Sequence, residues 1–382
     1  MIDLTPYSIL SVTVITSIFI VLFILITRNN VFVSKIPMWI PVALTIIMCI
    51  RLLFPIEFLF CSKTLLSFDV FPHIDNIIYA DVPVIHNVVP DIKIAVVSVF
   101  CTIWLIGAIV FIVNYIKEYV EFCRATKHIE TTNNPLIVET LNRIKTEYNF
   151  KFNVKIIFNN IISEPSEFGF FRQTIFLNDY DYTPEELSYI LTHELTHFYN
   201  KSNWIKLFMN MVKSILWWNP VVHLLQRHVD DLLEIYVDTY VTKNRSHRFR
   251  LGYIECIEKV LELSEDNGKK NVKMKFVHSM ATVSNEDIVM RRCNVIRYGH
   301  KNNIPICISI ALALILYIFI SSRYVVQPAY EPGANDMNYP EFTLENSYIV
   351  KEGDVYVLYY NDEPFFSNPY LNELPNVPIK NQ

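Results

Sequence analysis

Glycine is scarce in this chain, 7 of 382 residues. No glycine-rich run can therefore lay backbone amides around a phosphate, which excludes the common nucleotide-binding loops. Internal repeats and low-complexity runs are also missing, so solenoids, propellers and long disordered linkers are excluded. Only 19% of the residues are charged, and the net charge is −5. The basic residues gather beside apolar segments, where topology and anionic lipid account for them, and direct nucleic-acid binding is not expected.

What the chain has instead is hydrophobicity, 52% of its residues, delivered in blocks. Ser8 to Thr27 carries no charge and is long enough to cross roughly 30 Å of hydrocarbon. Pro37 to Phe60 is a second block, interrupted by Arg51, which is expected to snorkel to the interface. Ile94 to Ile116 and Ile304 to Ser321 complete four expected spans. The first does not read as a signal peptide, because no Lys or Arg precedes it and no small-residue cleavage site follows.

Lysine and arginine set the orientation. Arg28 and Lys35 lie between the first two spans, Lys117, Arg124 and Lys127 follow the third, and Arg291, Arg292, Arg297 and Lys301 precede the fourth. The loop after the second span carries Glu57, Asp69, Asp75, Asp81 and Asp91 against Lys63 and Lys93. Both termini are thus expected outside and the segment between spans three and four in the cytosol. Of seven cysteines only Cys61 faces outward, so no extracellular disulfide forms within the chain; Cys123, Cys256 and Cys293 are expected as reduced thiols.

The densest chemistry lies in that segment. His193-Glu194-Leu195-Thr196-His197 has HExxH spacing: two imidazoles one helical turn apart chelate one zinc ion, and the carboxylate between them serves as base toward a water. Thr183-Pro184-Glu185-Glu186 predicts the start of the helix, with Thr183 as N-cap and Glu186 closing a capping box. Leu187, Ile190, Leu191, Leu195 and Phe198 form its apolar stripe. A third ligand is offered downstream by an amphipathic helix bearing Asp230, Asp231, Glu234 and Asp238. Spacing alone does not choose Glu234 over its acidic neighbours, although Asp230 and Asp231 read as surface charges. A Glu ligand with Asp238 one turn later, bonded to a ligand histidine, is a chemically sound pairing.

Around these motifs Pro135 to Tyr148 predicts an amphipathic helix, and Phe152 to Phe158 and Gln173 to Leu177 predict strands. A strand edge can hold a peptide substrate by β-augmentation; Phe168, Gly169 and Phe170, up to Phe171, are one candidate edge and Thr174 to Leu177 another. Trp204 to Leu225 is apolar with Lys206, Asn210 and Lys213 on one face. It predicts either an interfacial helix, with Trp217 and Trp218 at headgroup level, or a buried helix hairpin turning at Asn219-Pro220. His223, His228 and Tyr236 are candidate oxyanion donors.

Four spans in this order, the HExxH helix between the third and fourth, Trp217-Trp218-Asn219-Pro220 and the Glu234-x-x-x-Asp238 helix together resemble the BlaR/MecR-type membrane metallopeptidases, antirepressors that sense antibiotics. The resemblance covers about Met1 to Ser321 and extends to Arg51-Leu52-Leu53-Phe54-Pro55. It implies His193, His197 and Glu234 as Zn2+ ligands, Glu194 as catalytic base and Asp238 behind the ligands. It implies an α-helical membrane protein with an inserted cytosolic α+β gluzincin-like zinc metalloprotease domain, in a bacterial cytoplasmic membrane. The expected organisation is three transmembrane helices in 1–116 with an extracellular loop near 57–93, the peptidase in 117–302, a fourth span in 303–321 and an extracellular tail in 322–382. The implied substrate is a cytosolic repressor or the protein itself, and a homodimer is a further expected assembly.

One departure stands at the carboxyl end. About sixty residues follow the fourth span, without the Ser-x-x-Lys of a penicillin-sensor domain, and Tyr348 to Val350 with Val355 to Tyr360 predict a β-hairpin turning near Gly353. Two alternatives remain at this point: a housekeeping HtpX/Ste24-like membrane protease, and a non-catalytic receptor with a structural zinc. An intact Glu194 speaks against the second.

Overall fold

In the computed structural model the described residues are 6–37, 39–55, 62–66, 96–127, 129, 131–132, 134–158, 164–178, 180–267, 278–279, 286–299, 303–328, 347–352, 355–360, 363–368 and 379–380. The expected outer loop near 57–93 lies almost wholly outside them. In chain order the elements are α1 (Pro6–Thr27), α2 (Asn30–Val33), α3 (Trp39–Leu53), β1 (Ser62–Leu66), α4 (Val96–Thr126), α5 (Pro135–Glu147), β2 (Val154–Phe158), β3 (Ser166–Phe168), β4 (Gln173–Leu177), α6 (Pro184–Tyr199), α7 (Ser202–Ile215), α8 (Pro220–Thr242), α9 (His247–Asn267), β5 (His278–Ser279), α10 (Glu286–Tyr298), α11 (Ile304–Arg323), β6 (Tyr324–Pro328), β7 (Ser347–Glu352), β8 (Val355–Tyr360), β9 (Glu363–Asn368) and β10 (Ile379–Lys380).

Among the described residues three helices are long and apolar enough to cross a membrane: α1, α4 and α11. Their outward side chains are large and apolar (Leu25, Phe100, Ile106, Leu312 and Ile315 are all exposed), as a bilayer requires. The second expected span differs. Helix α3 has 15 residues, about 22 Å at 1.5 Å per residue, and stops ahead of Pro55. Arg51 does not snorkel alone either: its guanidinium donates to Ser321 O at 2.6 Å and Phe54 O at 3.1 Å.

Helix α4 runs for 31 residues, about 46 Å, ten residues past the apolar block. That extension packs onto the sheet: Phe122 meets Phe168 at 4.3 Å and Phe176 at 5.6 Å between ring centroids, and Tyr119 meets Phe168 at 5.4 Å. The third apolar helix is thus continuous with the layer beside the HExxH helix.

Two apolar cores flank helix α8. Ile137, Ile144, Ile156, Ile175, Leu177, Ile190, Leu191 and Leu195 pack with Val237 and Val241. Ile20, Met48, Cys49, Leu52, Met209, Val212 and Tyr317 pack with Leu225, Val229, Leu232 and Leu233. One helix therefore belongs to both cores, and Glu234 and Asp238 lie where the two meet.

The first sheet has the order β2-β4-β3-β5. Strands β2 and β4 run parallel, β3 is antiparallel to β4, and β5 pairs antiparallel with β3 through Ser166↔Ser279 and Glu167↔His278. The candidate edge Thr174 to Leu177 is therefore no edge, since β4 is paired on both sides and cannot take another strand.

The apolar stretch Trp204 to Leu225 breaks at Leu216–Asn219 into α7 and α8, with the Asn219 side chain capping Val221 N at 2.9 Å and Pro220 opening the new helix. The turn at Asn219-Pro220 is thus present, while Trp204, Met211, Trp218 and Leu224 remain exposed, so the stretch is not a fully buried hairpin. Trp217 does not face open headgroup space: its Nε1 donates to Trp104 O at 3.1 Å, and Gly107 is what lets the indole lie against α4, since a Cβ there would collide with it.

Residues Leu66–Pro72 and Pro328–Gln382 form a separate unit. It holds the expected hairpin as β7 and β8, enlarged to a sheet of order β10-β7-β8-β9. Ile349 and Leu358 form its small buried core, and Tyr348 stacks on Tyr359. The turn residues Gly353 and Asp354 lie outside the described residues.

Candidate metal centre

Helix α6 begins as its sequence dictates. Thr183 caps Glu186 N, the Glu186 carboxylate returns to Thr183 N at 2.9 Å, and Lys259 holds its other oxygen at 2.6 Å. Ten residues later the helix is buried on every side: His193, Glu194 and His197 are at most 1% exposed. Burial of so much polar chemistry needs a purpose, because each unpaired polar group there carries a desolvation cost.

The imidazoles converge. Nε2 of His193 and Nε2 of His197 are 3.1 Å apart, and the Glu234 oxygens lie 3.3 Å from the first and 3.5 Å from the second. Tetrahedral zinc with bonds of about 2.0–2.1 Å sets its donors roughly 3.3 Å apart, so this triangle fits such an ion. His193, His197 and Glu234 are the group that could hold a metal among the described residues. The far nitrogens are engaged elsewhere: His193 Nδ1 lies 2.7 Å from Tyr253 Oη and His197 Nδ1 lies 3.2 Å from Ser202 Oγ. That leaves Nε2 of each ring for the ion.

The charges around the triangle are arranged on the same plan. Burial disfavours a charge on Glu234, but His197, His193 and Arg292 outweigh it and hold its carboxyl well below the usual range. Asp238 is brought down to about 2 against burial by the Arg292 guanidinium. Burial alone would keep the His193 ring neutral; its bonds to Asp238 and Glu234 instead lift it to about 9. His197 is lowered to about 4 by burial.

Like Glu167 on β3, Glu194 is buried with no hydrogen-bond partner for either carboxylate oxygen among the described residues. Burial pushes its carboxyl up to about 8, while His193 pulls it down and Glu234 pushes it further up. A buried carboxylate without a partner, beside three donors that converge, is a group held ready for a proton.

Four neighbours of the centre are not evident from sequence. Arg292 grips Asp238 with Nε to Oδ2 at 2.7 Å and Nη2 to Oδ1 at 2.9 Å. Tyr253 donates to Asp238 Oδ1 at 2.8 Å. Lys206, buried rather than on an outward polar face, has its ammonium 3.8 Å from Glu234 Oε1. Glu167, on β3, is fully buried with Oε1 3.8 Å from His197 Nδ1, and burial raises its carboxyl well above the usual range. Glu167 could have been suspected as an acid inside an aromatic strand; Tyr253 gave no signal at all.

Other expected residues lie elsewhere. Asp230 and Asp231 are not free surface charges: burial raises them to about 6 and about 7, yet they stay outside the triangle. His223 is bonded to Trp217 O at 2.8 Å and His228 to Thr27 at 2.6 Å, which turns both away from an oxyanion role. Phe168 packs on Phe122, Gly169 adopts φ 107° with its carbonyl accepting from Asn203, and Phe170 lies 5.3 Å from Trp204. Gly169 and Phe170 line a cavity of about 280 Å³ together with Gln173, Trp204 and His197, so the candidate edge opens beside one histidine of the triangle.

Comparison with known proteins gives a family for most of the chain. The sequence pattern of the family described as BlaR1 peptidase M56 matches residues 7–296. The "Regulatory protein BlaR1" of Bacillus licheniformis is 26% identical over 170 residues, 44% of this chain and 28% of that protein. The protein of the same name from Staphylococcus aureus is 23% identical over 261 residues, 66% of this chain and 42% of that protein. The chain thus spans less than half the length of these relatives.

Proposed function

From the premise that this chain belongs to the BlaR1 peptidase M56 family of membrane metallopeptidases, we propose that it is a zinc endopeptidase that cleaves a cytosolic regulator or its own cytosolic segment in response to a signal. The observation that carries the reading is the converging triangle of His193, His197 and Glu234 beside the unpartnered carboxylate of Glu194. The relatives are named regulatory proteins, which supports a signalling role.

His193, His197 and Glu234 would hold the zinc, which would supply Lewis acidity toward a water and the scissile carbonyl. Glu194 takes the proton of the attacking water and returns it to the leaving amine; a carboxyl raised toward the operating pH suits both transfers. Asp238 and Tyr253 keep His193 in one orientation. The enclosing helices exclude bulk water, which strengthens these interactions.

The gluzincin-like arrangement, one ligand pair from the HExxH helix and a Glu from a second helix, is supported by the placement of α6 and α8. The Lys and Arg bias supports a cytosolic peptidase in 117–302 with outward termini. Self-cleavage is supported by β5: His278–Ser279 occupies the free side of β3, the strand that carries Glu167 to the centre. A substrate strand would lie there by the same backbone pairing.

The test uses full-length protein in membranes. Zinc should be about one per chain in wild type and in Glu194→Gln, and lost in His193→Ala and Glu234→Ala. Fragments from self-cleavage should appear in wild type alone. Unchanged zinc in both ligand variants, or cleavage at the wild-type rate by Glu194→Gln, overturns the proposal.

A further inference from the structure

Arg291 and Arg292 are neighbours on α10, both buried, and they reach in different directions. Arg292 makes its two bonds to Asp238, and Asp238 Oδ1 lies 3.4 Å from His193 Nδ1. Arg291 leaves the centre: its Nε donates to Asn30 Oδ1 at 3.1 Å and its Nη2 donates to the backbone carbonyl of Thr27. Thr27 is the last residue of α1, the first apolar helix. Its hydroxyl is also bonded to His228 Nε2 at 2.6 Å, and His228 lies on α8, less than two turns ahead of Glu234. The start of α11 is tied to the same region: Asn303, which leads into α11, donates its N–H to Lys35 O at 2.8 Å.

The end of α1 is thus fastened to both helices behind the metal centre. We propose that Arg292 is a positioning residue for His193, and that the adjacent Arg291 couples this position to the end of the first apolar helix, so that movement of that helix alters the metal centre. This rests on the reading of His193, His197 and Glu234 as metal ligands.

The physical argument has two parts. A two-point guanidinium–carboxylate grip is directional, so a tilt or shift of α10 moves Asp238 instead of sliding past it. The partner on the far nitrogen of a ligating histidine sets ring orientation and affinity, and losing such a partner costs 10–100-fold in metal binding. Arg291 has a different role from an ion-pair anchor: it bonds a helix-terminal carbonyl and an amide side chain, both parts of the membrane-proximal turn. Burial disfavours its charge, and among the described residues Asp231 supports that charge while Arg28 opposes it. Packed helices shift as units, so the two arginines move together.

The experiment uses full-length protein in lipid nanodiscs, freed of metal and titrated with Co2+, whose visible ligand-field spectrum reports coordination geometry. Arg292→Gln should weaken Co2+ binding about 10–100-fold and change the band shape. Arg292→Lys should recover part of the affinity but not the wild-type band shape, because an ammonium cannot grip both oxygens. Arg291→Gln, which touches no metal ligand, should also change the band shape. Asn30→Ala should do so in the same direction, and the two changes should not add. Arg297→Gln, exposed on the same helix, should match wild type. If wild type binds no Co2+, the ligand assignment beneath the proposal fails. If wild type binds and both Arg291→Gln and Asn30→Ala reproduce its spectrum and affinity, the ligand assignment stands and the coupling is overturned. Where Arg291→Gln does not fold, Asn30→Ala decides.

Discussion

The phenol oxygen of Tyr253 lies 2.7 Å from Nδ1 of His193. Tyr253 also donates to Asp238 Oδ1 at 2.8 Å, and burial keeps the phenol protonated, its pKa raised well above the usual value. With that proton committed to Asp238, Tyr253 Oη accepts from His193 Nδ1–H. In the neutral ring, the form that can bind a metal, this leaves the lone pair on Nε2, the nitrogen that faces His197 and Glu234.

Tyr253→Phe keeps the packing volume and removes this relay. Zinc affinity, measured by competition with a chromophoric chelator, should fall by about 10–100-fold while the helical content is unchanged. Wild-type affinity in the variant would show that Asp238 orients His193 without help.

Much of this centre is legible in the sequence, and the rest is hidden for physical reasons. His193, Glu194 and His197 announce themselves because one helix carries all three at a spacing chemistry demands. The capping box at Thr183 and Glu186 is equally local. Glu234 needs the packing of α8 to separate it from Asp230 and Asp231, since all three look alike along the chain. Arg292 is hidden among basic residues that membrane topology already explains, and Lys206 reads as the polar face of an amphipathic helix until tertiary packing turns it inward. The shortness of α3 follows from Pro55, whose restriction of the preceding backbone is visible in sequence but is outweighed by the apolar run around it. Strand β5 is two residues long and exists only because β3 offers it a partner.

His228 predicts an acid-sensitive contact at the end of α1. Burial, with Arg291 and Arg28 nearby, lowers its pKa from 6.5 to about 4. Below pH 6.5 the unfolded chain binds a proton that the folded chain refuses until about pH 4. The stability present above pH 6.5 is therefore lost as pH falls through that window, by about 3 kcal/mol in all. Asp230 and Asp231, raised to about 6 and about 7, act with the opposite sign, so the difference between proteins is what isolates His228. Apparent melting temperatures in nanodiscs should fall more steeply between pH 7 and 4.5 for wild type than for His228→Gln. Parallel curves would place the titration elsewhere.

The proposed topology makes its own prediction. Reporter fusions after Lys201 and after Gln382 should report opposite sides of the membrane, because α11 stands between them. A fusion after Phe54 tests the short helix α3: the side opposite to Lys35 means that α3 crosses despite its 15 residues, by thinning the bilayer or tilting its neighbours. The same side as Lys35 means that it is re-entrant, and the charge assignment for the first loop then has to be redrawn.

The last prediction concerns the strand that His278 and Ser279 form. A peptide held for hydrolysis by an edge strand is fixed by backbone pairing, and β5 already has that pairing with Ser166 and Glu167. Glu167 in turn lies 3.8 Å from His197, so His278 and Ser279, in the segment between Asn267 and Glu286, hold a backbone register on the strand next to the centre. Self-cleavage should map within that segment. Ser279→Pro removes one N–H from the register and fixes φ, which should lower self-cleavage about tenfold or more. Zinc content should remain unchanged, since no ligand is touched. Amino-terminal sequencing of the fragments and metal analysis of the same preparation decide the matter. Fragments whose ends lie outside 268–285, or an undiminished rate in Ser279→Pro, would mean that β5 only covers the edge and that the substrate approaches from the Gly169–Phe170 side.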